Sequence, residues 1–492
     1  MASVVAPLLG SGASAIDQAR ASPQAVGARR ASLRPLQEAS GGCGSACRAS
    51  AVLTAAGAFL SLRRSERCRR QAASASSSAS PRVAVIGAGP AGLATALALR
   101  KEAKLQDVTV LERSPELRPG VGGGVQLHSG ASLLEELGVD LSFAQPLRRI
   151  RSRSASGEDL LKLDLPSLID NFEAFSGSVR RSDGEPASCT VMRDALLEAM
   201  ARELPPGSIR LGTKLLDVET NSDGQAATCR FESGEEEFDL VVAADGIGSR
   251  ARSCVLGEED EEAPRYTGLR IQYGVREAGG RPAGCEEEVH QWFGQGVYAL
   301  TATYGGIGGK RFEMMAVVFR EEAPAAENAD WDPAEIKDSC LQRLQQAGHA
   351  GEVLEVAKGC ERFFELGVFE RPVGLNRWHR GRVVLLGDSA HAMPPFLGQG
   401  ANQAIQDAVC LARWLRRVGF ADGPGSLEAG LLGYTAQRLP PVAVLGIESG
   451  FLGQVETLPG DLGAMVRENF FRLTAGTGVA GLVFLNGAIA RV

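Results

Sequence analysis

The chain has 492 residues, of which 44% are hydrophobic and 60 are glycine, enough for a large core and a turn-rich α/β enzyme of two folded domains. Its formal net charge is −7, and the part beyond residue 80 carries about −14, which argues against a nucleic-acid partner. The ten cysteines show neither a CxxC pair nor zinc spacing, so we expect reduced thiols and no metal site.

Residues 1–80 differ in composition from the rest of the chain. They hold ten arginines, no lysine and three acidic residues among abundant alanine and serine, which is typical of a transit peptide. The uncharged run 51–62 is shorter than the roughly 20 residues of a membrane span and fits an import signal for a plastid with extra membranes. A plain disordered leader is the alternative. We predict a targeting leader and linker over residues 1–80 and a plastid location.

The first chemical motif follows an apolar strand at residues 83–86. Gly87, Gly89 and Gly92 form the pattern Gly-x-Gly-x-x-Gly, and an alanine-rich helix runs on to about residue 101. Such glycines permit a tight turn, let the backbone approach a pyrophosphate and let the helix pack closely on its strand. A second strand ends at Glu112, where an acid accepts the ribose hydroxyls. This pattern predicts a dinucleotide site.

Two later segments repeat the arrangement of an apolar strand followed by a turn. The run 239–244 leads into Asp245-Gly246, and the run 383–386 leads into Asp388. The turn Gly398-Gln399-Gly400 then opens a helix, whose free amide groups would stabilise negative charge on a reduced flavin ring. We expect the three segments to meet at one edge of a parallel sheet.

In this order the three segments resemble those of the class A flavoprotein monooxygenases, which include aromatic hydroxylases and zeaxanthin epoxidase. The resemblance covers roughly residues 82–440. It implies an α/β fold, with a Rossmann-like FAD-binding domain and an inserted, mainly antiparallel β-sheet substrate domain, as in p-hydroxybenzoate hydroxylase. We predict the FAD-binding domain at 81–262 and 366–440, the substrate domain at 263–365 and an apolar helical tail at 441–492.

The resemblance also assigns cofactor contacts. The first motif would bind the ADP half of FAD, the Asp-Gly motif would serve both FAD and NAD(P)H, and Asp388 would hold the ribityl chain. A family asparagine shortly after Gln126 is replaced by Gly130, which changes the pocket beside the flavin. No residue is assigned a catalytic role, and Pro395 and Gly398 belong to the ring-side loop. The predicted cofactor-binding residues are Gly87, Gly89, Gly92, Glu112, Arg113, Gln126, Arg193, Asp245, Gly246, Asp388, Pro395, Gly398, Gly400 and Asn402.

Strands at 269–275, 288–293, 297–304 and 312–319, separated by glycine-rich turns, predict an antiparallel sheet. In the family such a sheet covers the flavin and forms the substrate pocket. The alternation of side chains along a strand does not show which face of the sheet meets the ligand, so each candidate lining residue could instead pack in the core. The candidate lining residues are Trp292, Phe293, Tyr298, Tyr304, Met314 and Met315.

Two histidines, one helix and the C-terminal stretch are expected to have structural roles. His391 is expected to shape its loop, and His128 to be packed or solvated. Residues 332–346 predict a surface helix. The stretch 473–490 has no charge, but glycines and Asn486 interrupt it, so we expect a packed terminal helix or peripheral contact with a membrane surface instead of a span.

The resemblance implies that NAD(P)H reduces FAD and that one oxygen of O₂ passes, through a flavin C4a-hydroperoxide, to a small apolar or aromatic substrate in a dry pocket. Epoxidation of a carotenoid is the first expectation, because the leader, the apolar tail and residues 378–402 resemble zeaxanthin epoxidase. Hydroxylation of a small aromatic or phenolic substrate is the alternative. A geranylgeranyl-reductase-like flavoenzyme and a non-catalytic FAD-binding electron-transfer partner are further alternatives.

Overall fold

The computed structural model describes residues 80–492 with the exception of 118–121, 173–178, 182–183, 258–262, 279–285, 325–331, 372–376 and 421–423. The predicted leader therefore lies outside the described residues.

A six-stranded sheet has β1 (Val83–Ile86) near its centre. β1 pairs in parallel with β2 (Val108–Leu111) and β12 (Leu240–Ala243), and β12 pairs in parallel with β19 (Val383–Leu385). β8 (Ile209–Arg210) and β18 (His379–Arg380) form the edges. β1, β12 and β19 are buried throughout, as their apolar sequences require. The three predicted strands are therefore neighbours, and their carboxyl ends share one sheet edge.

Helices surround this sheet. Helix α1 (Pro90–Lys101) starts with proline, whose missing N–H costs nothing in the first turn, and packs against the long helix α9 (Gly400–Val418). Both helices follow a glycine-rich turn, as the sequence predicts. The shorter helices are α2 (Ser129–Glu136), α3 (Leu165–Asn171), α4 (Arg193–Arg202), α5 (Arg252–Leu256) and α8 (Asp388–His391).

The second large sheet has ten strands. Its main path runs β17 (Arg362–Glu370), β13 (Arg265–Glu277), β16 (Arg311–Arg320), β15 (Val297–Gly305), β14 (Glu288–Phe293), β5 (Arg149–Ser154) and β6 (Asp159–Asp164). β7 (Cys189–Met192) joins it beside β15 and carries β3 (Gly124–Leu127) and β4 (Gln145–Pro146). Pairing is antiparallel except for β5 with β14 and β7 with β15. A separate small sheet contains β9 (Leu215–Thr220), β10 (Ala227–Phe231) and β11 (Gly234–Phe238).

The four antiparallel strands predicted from the sequence are confirmed as β13 to β16. The sheet also takes strands from residues 124–192, whereas the sequence analysis assigned it to residues 263–365 alone. One face is covered by α6 (Pro333–Gln346) and α7 (Gly351–Gly359), whose inner side chains form a core with the strands. The other face is turned toward the residues of the predicted cofactor site.

Three helices end the chain: α10 (Pro424–Glu456), α11 (Gly460–Gly476) and α12 (Val479–Ala488). Leu485 and Ala488 on α12 are buried against Ile169 and Val179, so this helix is packed. Within the described chain, no helix combines the length and apolar character needed to cross a membrane.

Candidate functional site

Two glycines of the first motif are fixed by close packing. Gly87 has φ +100°, and a Cβ there would lie 2.6 Å from the carbonyl oxygen of Ala244, at the end of β12. A Cβ on Gly92 would lie 1.8 Å from the carbonyl oxygen of Gly87. Any side chain would push the helix off its strand and separate two strand ends. Gly92 therefore packs α1 on β1, as its place in the motif predicts, and does not face the cavity.

The edge of the parallel sheet holds a cavity of about 520 Å³. Helix α1 points its N-terminus into this region and has no acidic residue in its first turn, so its amide groups favour an anion. The carboxylate of Glu112 accepts hydrogen bonds from the amides of Ala88 and Ser114, both at 2.8 Å, which fix it at the cavity wall. The predicted cofactor residues that line this cavity are Gly87, Gly89, Glu112, Arg113, Arg193, Asp245, Gly246, Asp388 and Gly400.

Two aspartates lie at the ends of the neighbouring strands. Oδ2 of Asp245 accepts a hydrogen bond from the amide of Arg250 at 2.7 Å, while its buried Oδ1 has no partner. Asp388 lies at the wall of the cavity, and its side chain is exposed to the cavity. Burial raises the pKa of both carboxyls, and the nearby His391 and Arg193 partly offset that effect at Asp388. Such carboxyls are suited to hydrogen bonding with hydroxyl groups of a ligand.

A second, larger chamber of about 750 Å³ lies under the ten-stranded sheet. It shares Arg193, Asp388 and Gly400 with the first cavity, so the two are adjoining parts of one site. Its lining is largely apolar and aromatic. The other predicted residues that line it are Gln126, Pro395, Gly398, Tyr298, Tyr304 and Met314.

Asn402, predicted to bind the cofactor, is fully buried and clamps the ring-side loop instead of lining either cavity. Its Oδ1 accepts hydrogen bonds from the amides of His128, at 2.8 Å, and Gly130, at 3.2 Å. Its Nδ2 donates to the carbonyl oxygens of Gln126, at 2.9 Å, and Gly398, at 3.1 Å. A Cβ at Gly130 would lie 2.8 Å from that Oδ1, so glycine at this position leaves room for the clamp.

The structure corrects the prediction for Trp292. Its indole Nε1 donates to Oγ1 of Thr301 at 3.2 Å, and it packs with Met315 in the core against α6 and α7, on the face away from the chamber. The prediction that Met315 lines the substrate pocket is wrong for the same reason. Phe293 lies behind the lining, stacked 4.5 Å from Phe471 and 5.5 Å from Tyr298 between ring centroids.

The two histidines near the site have structural partners. His128 lines the chamber, and burial lowers its pKa to about 4, so its ring is neutral. Its Nδ1 lies 2.9 Å from Oγ of Ser188. His391 is outside both cavities, and its Nε2 lies 2.5 Å from Oδ2 of Asp407. His391 thus fixes the loop, as the sequence analysis expected.

The partners of His391 were not predicted from the sequence. Asp407 on α9 and Arg438 on α10 are fully buried, and Nε of Arg438 donates to Oδ1 of Asp407 at 2.7 Å. Although burial alone would raise it, the charges of His391 and Arg438 hold the pKa of Asp407 below its usual value. The amide of Gly387 also donates to Oδ2 of Asp407, at 3.1 Å, so this cluster anchors the segment that carries Asp388. No local pattern signals a pair so far apart in the chain.

These residues fit FAD. The bare N-terminus of α1 suits a pyrophosphate, the Glu112 carboxylate suits a ribose, and Asp388 stands where the polar cavity meets the apolar chamber. The unpaired Oδ1 of Asp245 leaves an acceptor for a ligand at the same edge.

Comparison with known proteins agrees with this arrangement. Residues 81–445 match a family model described as an FAD binding domain. The chain is 32% identical over 373 residues to 3-amino-4-hydroxybenzoate 2-monooxygenase of Streptomyces cremeus, which covers 74% of this chain and 84% of the relative. The chain is a class A FAD-dependent monooxygenase. A more distant relative of this monooxygenase, the chloroplastic zeaxanthin epoxidase of Oryza sativa subsp. japonica, is 29% identical over 74% of the chain and 54% of the relative.

Solved structures show the same fold. HpxO of Klebsiella pneumoniae, complexed with FAD and uric acid, superposes with a TM-score of 0.66 at 24% identity, covering 82% of the monooxygenase and 97% of HpxO. A salicylate hydroxylase substrate complex superposes with a TM-score of 0.60 at 20% identity, covering 85% of the monooxygenase and all of the hydroxylase. The predicted α/β architecture with an FAD-binding part and an antiparallel sheet is confirmed.

Proposed function

We propose that this monooxygenase uses NAD(P)H and O₂ to oxygenate an uncharged, largely apolar substrate that carries a ring, and that ring epoxidation of a carotenoid is the first reaction to test. The observation that carries the proposal is the chamber under the ten-stranded sheet. At about 750 Å³ it has the size of a small-molecule site, and it is lined mainly by aliphatic and aromatic side chains.

The charges in the chamber support an uncharged substrate. Among the described lining residues the one lysine or arginine is Arg193, at the cofactor end, while Glu448 and Glu456 lie in the remainder. Burial raises the pKa of both glutamates. A carboxylate on the substrate would therefore lose its hydration without gaining a cation, which costs several kcal/mol, on the order of 3 or more.

The rim of the chamber supports an apolar substrate. Phe451 and Val479 line the chamber and are 58% and 44% exposed. Further exposed apolar side chains occur on α10, α11 and α12, and large apolar patches on a protein surface mark binding or membrane-contact sites. We therefore propose that the exposed apolar side chains of these helices contact a membrane surface peripherally, since a carotenoid resides in lipid. These exposed residues are Leu432, Val444, Ile447, Leu462, Met465, Val466, Leu473 and Leu482.

Bound FAD would supply the electron transfer from NAD(P)H and the activation of O₂. The chain itself supplies placement and dryness. Asp388 and the amides at the start of α9 would hold the cofactor beside the chamber, and Asn402 fixes the loop that runs between them. The apolar lining excludes water from the reacting atoms, which limits unproductive release of hydrogen peroxide.

Hydroxylation of a neutral phenol is the second candidate. It is supported by the relatives named as hydroxybenzoate and hydroxynicotinate monooxygenases, at 32% and 29% identity. The chamber's lack of a second cation among its described residues favours phenols without a carboxylate.

A coupling experiment tests the proposal. The full-length chain is loaded with FAD and supplied with NADPH or NADH, ¹⁸O₂ and one of three substrates: zeaxanthin in detergent micelles, a neutral alkylphenol or 4-hydroxybenzoate. We expect ¹⁸O in the product, with little hydrogen peroxide, for the carotenoid or the neutral phenol. Tight coupling with 4-hydroxybenzoate alone would contradict the proposal.

A further inference from the structure

Among the described residues that line the chamber, one carboxyl group is buried without a hydrogen-bond partner. Glu456, at the end of α10, lines the chamber and has no solvent-exposed surface. Both of its carboxyl oxygens are buried, and neither has a hydrogen-bond partner. Leaving such atoms unpaired is unfavourable, so protein structures retain them where a water or ligand supplies the missing bond.

Two other polar side chains of the chamber, Gln291 and Tyr298, already have hydrogen-bond partners. Nε2 of Gln291 donates to the hydroxyl of Tyr298 at 3.3 Å, and Oε1 of Gln291 accepts from Oγ of Ser152 at 2.7 Å. Gln291 and Tyr298 also line the chamber. Burial, and to a smaller extent Glu456, raises the pKa of Tyr298 well above its usual value, so its hydroxyl keeps its proton. Glu456 and Tyr298 therefore form a polar spot in an apolar lining.

Arg467 does not neutralise Glu456 by a direct contact. Its Nη1 donates to the backbone carbonyl oxygens of Glu456, at 3.5 Å, and Leu458, at 3.3 Å, and its guanidinium lies 5.5 Å from the ring centroid of Phe293. Burial raises the pKa of the Glu456 carboxyl well above its ordinary value, and attraction by Arg467 only partly offsets this. Burial without a partner for either oxygen favours the uncharged form of this carboxyl, which has one donor and one acceptor.

We propose that Glu456 determines substrate specificity by hydrogen-bonding a hydroxyl group on the ring of the substrate, with Tyr298 beside it. A carboxylic acid can donate to and accept from the same hydroxyl, which suits an alcohol or a phenol. This inference rests on the proposed function, because it takes the chamber as the substrate site. A ligand without the hydroxyl leaves the carboxyl unpaired, and it binds more weakly for that reason.

The test compares hydroxylated and deoxy ligands on the full-length FAD-loaded protein. Binding of zeaxanthin against β-carotene, and of 4-propylphenol against propylbenzene, is followed through the flavin absorbance spectrum without NADPH. For the wild-type protein we expect the hydroxylated member of at least one pair to bind about 10- to 100-fold more tightly, the range for one buried hydrogen bond. Glu456→Leu should reduce this ratio to about one, and Glu456→Gln, which keeps the shape and both hydrogen-bonding roles, should retain part of it.

Glu335→Gln is the matched control, since Glu335 is an exposed glutamate in the first turn of α6. It should leave both ratios unchanged. A preference retained in full by both Glu456→Leu and Glu456→Gln would overturn the assignment of Glu456 while leaving the proposed function intact. If the wild-type protein binds none of the four ligands, the proposed function fails and the inference fails with it. Should Glu456→Leu lose FAD, Glu456→Met takes its place as a variant without a hydrogen-bonding side chain of this kind; a full wild-type ratio in it overturns the assignment, and a ratio near one supports it.

Discussion

Nε2 of His391 lies 2.5 Å from Oδ2 of Asp407, and neither side chain reaches solvent. Arg438 on α10 binds the other oxygen of the same carboxylate. One buried aspartate of α9 is therefore bonded both to α8, which ends at His391, and to α10. Because Gly387 also donates to Asp407, the position of Asp388 at the cavity wall depends on this cluster. The carboxyl at the cavity wall is thus placed by a second carboxyl that lines neither cavity.

Asp407→Asn should therefore destabilise the protein strongly. The substitution removes the charge that compensates a fully buried arginine, and breaking a buried pair in this way costs about 3–5 kcal/mol. Urea unfolding of the apoprotein measures this change. Glu198→Gln breaks an exposed ion pair with Arg202 and should change the free energy of unfolding by less than about 0.5 kcal/mol. Equal stability of the two variants would show that the buried cluster does not anchor the fold.

Gly92→Ala should abolish FAD binding. The added methyl group would lie 1.8 Å from the carbonyl oxygen of Gly87, so α1 must move away from β1 and its N-terminus leaves the cavity. Flavin content after reconstitution and the midpoint of thermal unfolding report the two effects. Gly476→Ala serves as the control, because a Cβ at that position of α11 meets nothing within 4 Å. Normal flavin content in Gly92→Ala would exclude close helix packing as the reason for this glycine.

Asp388→Ala should separate cofactor binding from stability. We expect loss of FAD and of oxygenase activity together, because the carboxyl faces both parts of the site. The free energy of unfolding of the apoprotein should change little, because the Asp388 side chain is exposed to the open cavity. Isothermal titration with FAD and urea unfolding measure the two quantities, and Asp338→Ala on the exposed side of α6 is the control. Retained flavin with normal turnover would contradict the assignment.

The parts of the molecule that the sequence predicts well are those fixed by neighbours a few residues away. The turn at Gly87 and the strands around it follow from local spacing, and the structure has them where expected. Trp292 was misplaced because a strand buried on both faces gives no alternation to show which face meets the ligand. Glu456 and Arg438 were missed for another reason. Each acts through a segment far away in the chain, and only the folded structure brings those segments together.

Acid should destabilise the protein through two buried histidines. Burial is the main cause that lowers the pKa of His128 and of His349 to about 4, whereas in the unfolded chain both groups titrate near 6.5. Above pH 6.5 neither histidine affects stability. Between pH 6.5 and 4 the unfolded chain takes up protons that the folded protein does not, so the free energy of unfolding falls as the pH falls. The loss approaches about 3 kcal/mol per histidine at pH 4.

His349→Gln isolates one of these contributions away from the cofactor site. Glutamine can keep the hydrogen bond to the carbonyl oxygen of Val297, which lies 3.3 Å from Nε2 of His349, and it does not titrate. Urea unfolding at several pH values gives the change in the free energy of unfolding per pH unit. Between pH 6.5 and 4 this change should be smaller in the variant than in the wild type, by the amount that corresponds to the uptake of about one proton on unfolding. The two proteins share every other titrating group, so the difference between their curves reports His349 alone. Parallel curves would mean that His349 is protonated in the folded protein.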